Sequence, residues 1–128
     1  MKNIAKILSL SFIVLAATVL FSCKKDNNNS GTYKVKFKAE TSSGAKLSSV
    51  IYTSETGDII TNSSVNSSSF SSTELTIPSS VKVISFTANG IGESAGSTLK
   101  VQIYVDGNLV KENVGTGTTL SATANYSF

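Results

Sequence analysis

The chain of 128 residues offers one thiol, Cys23, in the stretch Leu20-Phe21-Ser22-Cys23-Lys24-Lys25-Asp26. A thiolate is the nucleophile of alkylation and acylation chemistry, so its surroundings decide what it can do. Before it, Lys2 and Lys6 give a basic start, and Ile7 to Phe21 run for 15 positions without a charge. As a helix that run would be roughly 22 Å long. This is shorter than the ~30 Å hydrocarbon core of a bilayer, so it suits a permanent span poorly. A basic start, an apolar run and then a small residue, here Ser22, follow the plan of an export signal.

The residues "LFSC" resemble a bacterial lipoprotein box, and "FSCKKDNNN" is similar to the start of lipoproteins in Bacteroidota. That resemblance implies cleavage between Ser22 and Cys23, a diacylglyceryl group on the Cys23 thiol, and palmitate-type chains in a membrane. One acyl chain anchors only marginally, whereas two or three on one residue hold firmly. Residues 1–22 are then the signal peptide. Residues 23–31 are the lipidated cysteine and a polar tether too hydrophilic to fold alone. Lys24 stands where enterobacterial lipoproteins retained in the inner membrane carry Asp, so the expected location is the outer membrane, on its periplasmic or its outer face.

Other chemistry is poorly supplied. There is no histidine, so a serine nucleophile lacks its usual base, and no serine stands in a Gly-x-Ser-x-Gly turn. Zinc and copper lack a ligand set without His or a second Cys. Glu55, Asp58 and Asp106 read as turn residues rather than a calcium cluster. "NGIGESAG" at 89–96 echoes a phosphate loop but lacks the Gly-Lys-Ser/Thr ending and a following helix. The expectation is a protein without catalytic residues, metal or cofactor.

Binding chemistry remains. Tyr52, Tyr104 and Tyr126 are the candidate aromatic platforms for a glycan, and alternation puts Tyr104 on the polar face of its strand. Lys34, Lys36 and Lys38 form a basic stripe that could meet an anionic membrane surface near the anchor. The plainer alternative is a solvated sheet face whose lysine stems pack the tyrosine.

Removing residues 1–22 from 128 leaves 106, which suits one domain with a modest core. That mature part holds 9 lysines against 8 acidic residues and no arginine. It is nearly neutral and cannot make bidentate contacts to phosphate or guanine, so nucleic acid is not an expected partner. With no cysteine beyond Cys23, it has no internal disulfide.

Period-2 patterning dominates residues 32–128. In "TYKVKFKAE", Tyr33, Val35, Phe37 and Ala39 oppose the lysines. "LSSVIYT" is expected to turn Val50 and Tyr52 inward, and Leu75 and Ile77 share a face before Pro78. "VKVISFTANG" changes phase near Val83, which predicts a bulge or a strand shared between sheets. "TLKVQIYVDGNLVKENV" is the clearest hairpin, with Asp106-Gly107 tolerant of positive φ. On its return strand Glu112 shares a face with Val110 and Val114; an inward carboxylate could protect an edge, but a bulge or strand end that lets Glu112 reach water is the favoured reading. Residues 61–73 are serine-rich and read as an irregular edge. The expected fold is all-β: a two-sheet antiparallel sandwich of immunoglobulin-like form with about seven strands. A closed barrel is the alternative.

Laid out this way, residues 32–126 resemble the mycobacterial membrane protein small (MmpS) family. The matching stretches are "TYKV", "VIYTSETGD", "LTIPSS", "VISFTANG" and "LKVQIYVDGNLVKEN". Ser79 stands where the family's "LPWS"-like stretch carries Trp. The resemblance implies a small exported β-sandwich that assists a large membrane transporter. The expected function is therefore a non-enzymatic envelope lipoprotein acting as a protein-interaction module. A surface adhesin or glycan-binding module is the alternative.

Overall fold

The computed structural model describes residues 31–128. Residues 1–30, which hold the expected signal peptide, Ser22, Cys23 and most of the expected tether, lie outside the described residues. Gly31–Phe128 is one compact unit and contains the whole described core.

Clean alternation gives the longest strands. β1 (Thr32–Thr41) buries Val35, Phe37 and Ala39 and turns Lys34, Lys36 and Lys38 outward. β7 (Thr98–Val105) buries Leu99, Val101, Ile103 and Val105. These two pair antiparallel from Val35↔Val105 to Thr41↔Leu99. β8 (Asn108–Thr116) returns beside β7, and β4 (Ser69–Ser71) and β5 (Leu75–Pro78) pair with β1. Together these strands make the first layer, the β1 sheet. The second, the β2 sheet, has the order β3 (Ile59–Asn62), β2 (Lys46–Thr53), β6 (Val83–Ile91), β9 (Thr119–Ser127). The result is an all-β, two-sheet antiparallel sandwich of nine strands among the described residues.

The core lies between the layers. Phe37, Phe86, Leu47, Ile77, Ile84, Leu99 and Ile103 are fully buried. Each such side chain contributes about 1.5–3 kcal/mol on burial. Phe37, Tyr52, Phe70 and Phe86 form a tilted aromatic cluster, with the Phe37 and Phe86 centroids 5.2 Å apart. At one end of the sandwich, Tyr33 stacks on Phe128 at 4.0 Å.

Three local features differ from a plain pattern. β6 runs in unbroken register along β9 from Val83↔Ser127 to Ile91↔Thr119, so the expected bulge near Val83 is absent. Val81 instead precedes the strand, in the turn closed by its N–H on the Pro78 carbonyl at 3.0 Å. The bulge on that sheet lies in β2, where Ser48 is the extra residue between Leu47 and Ser49. In β8, Val110 is extra between Leu109 and Lys111. It packs toward the core and leaves Glu112 exposed, as the hairpin sequence anticipates, and Val114 is exposed with it.

The serine-rich segment contributes β4, which sequence patterning leaves irregular. β4 and β5 lie on the same edge of β1, out of step by one residue. Buried Ser72 repairs the break: its N–H donates to the Phe37 carbonyl at 2.9 Å, and its Oγ accepts the Phe37 N–H at 3.0 Å.

Candidate functional site

The three lysines that alternation sends outward meet Tyr104 through strand pairing. Lys36 is the cross-strand partner of Tyr104, and Lys38 is that of Gln102. The Lys38 ammonium lies 5.0 Å from the Tyr104 ring centroid. That contact is a cation–π interaction of about 0.5–1 kcal/mol at an exposed site. Lys34 donates from Nζ to Thr76 Oγ1 at 2.9 Å, across the other edge of β1. Lys34, Lys36, Lys38 and Tyr104, with Glu74 and Gly107, line a cavity of about 230 Å³ on the outer face of the β1 sheet.

The turn after β7 holds this face in place. Asp106 adopts φ 50° and Gly107 φ 85°, the left-handed conformations that the Asp-Gly pair tolerates. The Asp106 N–H donates to the Lys34 carbonyl at 2.7 Å, and its carboxylate accepts the Lys34 N–H at 2.9 Å. The turn thereby extends the β1–β7 ladder beyond Val105. Across the sheet, the Tyr104 hydroxyl donates to Gln102 Oε1 at 3.3 Å, and Gln102 Nε2 donates to Glu112 Oε2 at 2.6 Å. Lys100 stands 4.0 Å from Glu40, a loose exposed ion pair.

Chemically, the arrangement is a row of ammonium groups beside one aromatic ring. Each ammonium carries three donors and no acceptor, so the row suits anionic oxygens. Outward residues two apart on a strand are about 6.6 Å apart, so the row matches a ligand or partner with repeated acidic groups. Among the described residues, no three His, Cys, Asp or Glu side chains converge on a common point.

The other sequence candidates have structural roles. Tyr52 packs between Phe37 and Phe70, at 5.4 and 5.9 Å, and Tyr126 meets Phe128 edge-on at 5.5 Å. Neither presents an open ring face as Tyr104 was expected to, and Lys38 covers one side of Tyr104 itself. Glu55 accepts the Thr76 N–H at 2.7 Å and Asp58 accepts the Thr56 hydroxyl at 2.7 Å, so both carboxylates are engaged in edge and turn contacts. In the glycine-rich loop, Ser97 Oγ accepts the Glu93 and Ser94 N–H groups at 2.9 and 3.1 Å. Those amides are not free to cradle a phosphate.

Sequence patterning missed a second cavity, of about 410 Å³, near the β2 bulge. Its walls include Lys46, Leu47, Ser48, Asn66 and Ile91. The available signal was the spacing of three between Leu47 and Val50, both buried, which a regular strand does not allow.

The chain matches no family model and no curated protein.

Proposed function

We propose that this protein is a non-enzymatic lipoprotein of the bacterial outer membrane. In this reading Cys23 carries the lipid, residues 23–31 are the tether, and an immunoglobulin-like sandwich is an interaction module for an envelope protein. The family resemblance extends the reading to a role accessory to a membrane transporter. The observation that carries it is the convergence of Lys34, Lys36, Lys38 and Tyr104 around one cavity, a face built to receive acidic groups. The absence of histidine and of any thiol in residues 31–128 supports a binding role over catalysis.

The test is crosslinking in intact envelopes, comparing the parent with a Lys36→Glu, Lys38→Glu double variant. The expected outcome is a discrete envelope-protein adduct that the charge reversal weakens at least tenfold. An unchanged adduct would remove this face from the reading, and no adduct at all would sink the interaction module. For the anchor, Cys23→Ala is expected to abolish palmitate incorporation and move the protein to the soluble fraction.

An acidic glycan is the second reading. It is favoured by the Tyr104 ring lying at the same cavity as three ammonium groups. Glycan-array binding that Tyr104→Ala abolishes would promote it over a protein partner.

A further inference from the structure

Charge is divided between the two layers. Strands of the β1 sheet carry Lys34, Lys36, Lys38, Glu40, Lys100, Lys111 and Glu112, whereas Lys46, at the start of β2, is the one charged residue in the strands of the β2 sheet. The outer face of the β2 sheet is therefore a surface of hydroxyl, amide and aliphatic side chains, with Lys46 at one end beside Ile91.

Around Thr87 and Asn89, polar side chains of this face bond to one another. The Thr87 and Thr123 hydroxyls lie 2.9 Å apart across the β6–β9 pair. Asn89 Nδ2 donates to Ser49 Oγ at 3.2 Å, and Ser121 Oγ donates to Asn89 Oδ1 at 2.9 Å. Covering such a face leaves these groups with a hydrogen-bond partner, which removes most of the desolvation penalty. Among them stand aliphatic side chains that remain in water: Ile59 is 60% exposed, Val83 53% and Ile91 68%.

The central strand of the face is nearly self-complementary. Outward from β6 point Val83, Ser85, Thr87, Asn89 and Ile91, aliphatic at both ends and hydroxyl in the middle. A twofold axis lying in the plane of the face, and crossing β6 at Thr87, lays the strand antiparallel over its copy. Val83 then rests on Ile91 of the partner subunit, and Thr87 meets its own counterpart. Such an isologous contact satisfies both copies with one patch. Strands of 4, 8, 9 and 9 residues, at about 3.3 Å per residue and about 4.8 Å apart, give roughly 950 Å² for the two faces together, the size of a weak, reversible interface. The twofold axis puts the two copies of Lys46 at opposite ends of the contact, so they do not face each other.

We propose that the outer face of the β2 sheet is a self-association surface, in which two copies of this chain pack face to face through β6. The occupant is a second copy rather than a glycan, because the face presents no aromatic ring on which a sugar could stack. This contact is independent of the lysine–tyrosine face, which stays open on the opposite layer.

The experiment uses residues 24–128, which keep the whole described core and lack both the lipid and the thiol. Sedimentation velocity across a wide concentration range is expected to show a monomer–dimer equilibrium in about the micromolar range, as suits a small interface. Thr87→Lys should leave the urea midpoint unchanged and abolish the dimer. Ile91→Lys, at a more exposed position, serves the same purpose if Thr87→Lys impairs folding. Thr87→Cys should be joined efficiently by a short bis-maleimide, whereas Lys100→Cys on the other layer should not. A parent that stays monomeric throughout overturns the proposal. So does a dimer that survives both lysine substitutions, since association would then run through another surface such as the free edge of β3.

Discussion

Asp106 shows how one side chain serves two purposes. Its backbone makes the turn, with φ 50°, and its carboxylate and N–H clasp Lys34. The Asp-Gly pair announces the turn in the sequence. The clasp is invisible there, because Lys34 is 72 residues away. Asp106→Ala removes the acceptor and strains the left-handed conformation, so it should cost about 1–2 kcal/mol. Asp106→Asn keeps an acceptor and the tolerance of positive φ, and should retain most of that stability. Urea unfolding would read this as a lower midpoint for Ala with an unchanged slope. Equal midpoints for the parent and both variants would show that the clasp contributes nothing. The same distance in sequence explains the candidate site. Alternation puts Lys34, Lys36, Lys38 and Tyr104 each on a polar face, but only the pairing of β1 with β7 makes them neighbours.

Among the strands, legibility follows the source of stability. β1 and β7 bury every second side chain, so their period is written in residue types. β4 is a strand because Ser72 and the β1 backbone exchange hydrogen bonds, and a run of serines does not announce which hydroxyl will do so. The bulge was misplaced for a related reason. Val81 has the phase of a strand residue but belongs to the preceding turn, whereas the irregular step lies at Ser48. The contact between β8 and β9 joins the two layers at one side, where Asn113 Nδ2 donates to the Thr123 carbonyl at 2.8 Å. Gly115 allows this approach, since a Cβ there would collide with the Ser121 carbonyl oxygen. Gly115→Ala should therefore cost about 2–3 kcal/mol, as overpacking against backbone does. Gly107→Ala meets open space and only the penalty of φ 85°, about 1–2 kcal/mol. Thermal unfolding should rank Gly115→Ala below Gly107→Ala, and the reverse order would refute the close-approach account.

Taken as one body, the sandwich depends on a single core with little redundancy. The unit formed by residues 31–128 is small, and Phe37 and Phe86 are the largest side chains fully buried within it. Phe37→Ala should cost about 3–5 kcal/mol, against a total stability of about 5–15 kcal/mol for a typical domain. The variant should be marginally folded, with a urea midpoint close to zero denaturant at the lower end of that range. Phe37→Leu should lose far less. If Phe37→Ala unfolds within about 1 kcal/mol of the parent, the aromatic cluster is not the centre of the core. The division of charge between the layers was also present in the sequence, yet only the sheet order reveals it. The charged strands β1, β7 and β8 are separated in sequence by five strands that carry only Lys46, and the topology brings the three together in one layer.

The strand that follows residue 31 is paired along both of its sides. β7 grips β1 from Val35 to Thr41, while β5 and β4 grip the opposite side at Thr32–Val35 and Lys38–Glu40. Any pull on the preceding segment enters the domain at Thr32 and runs along β1. If the far end of the sandwich is held, that pull shears the flanking ladders together instead of peeling them apart one bond at a time. Tension that enters at Thr32 would thus be carried in shear along β1, with the ladders on both of its sides sharing the load.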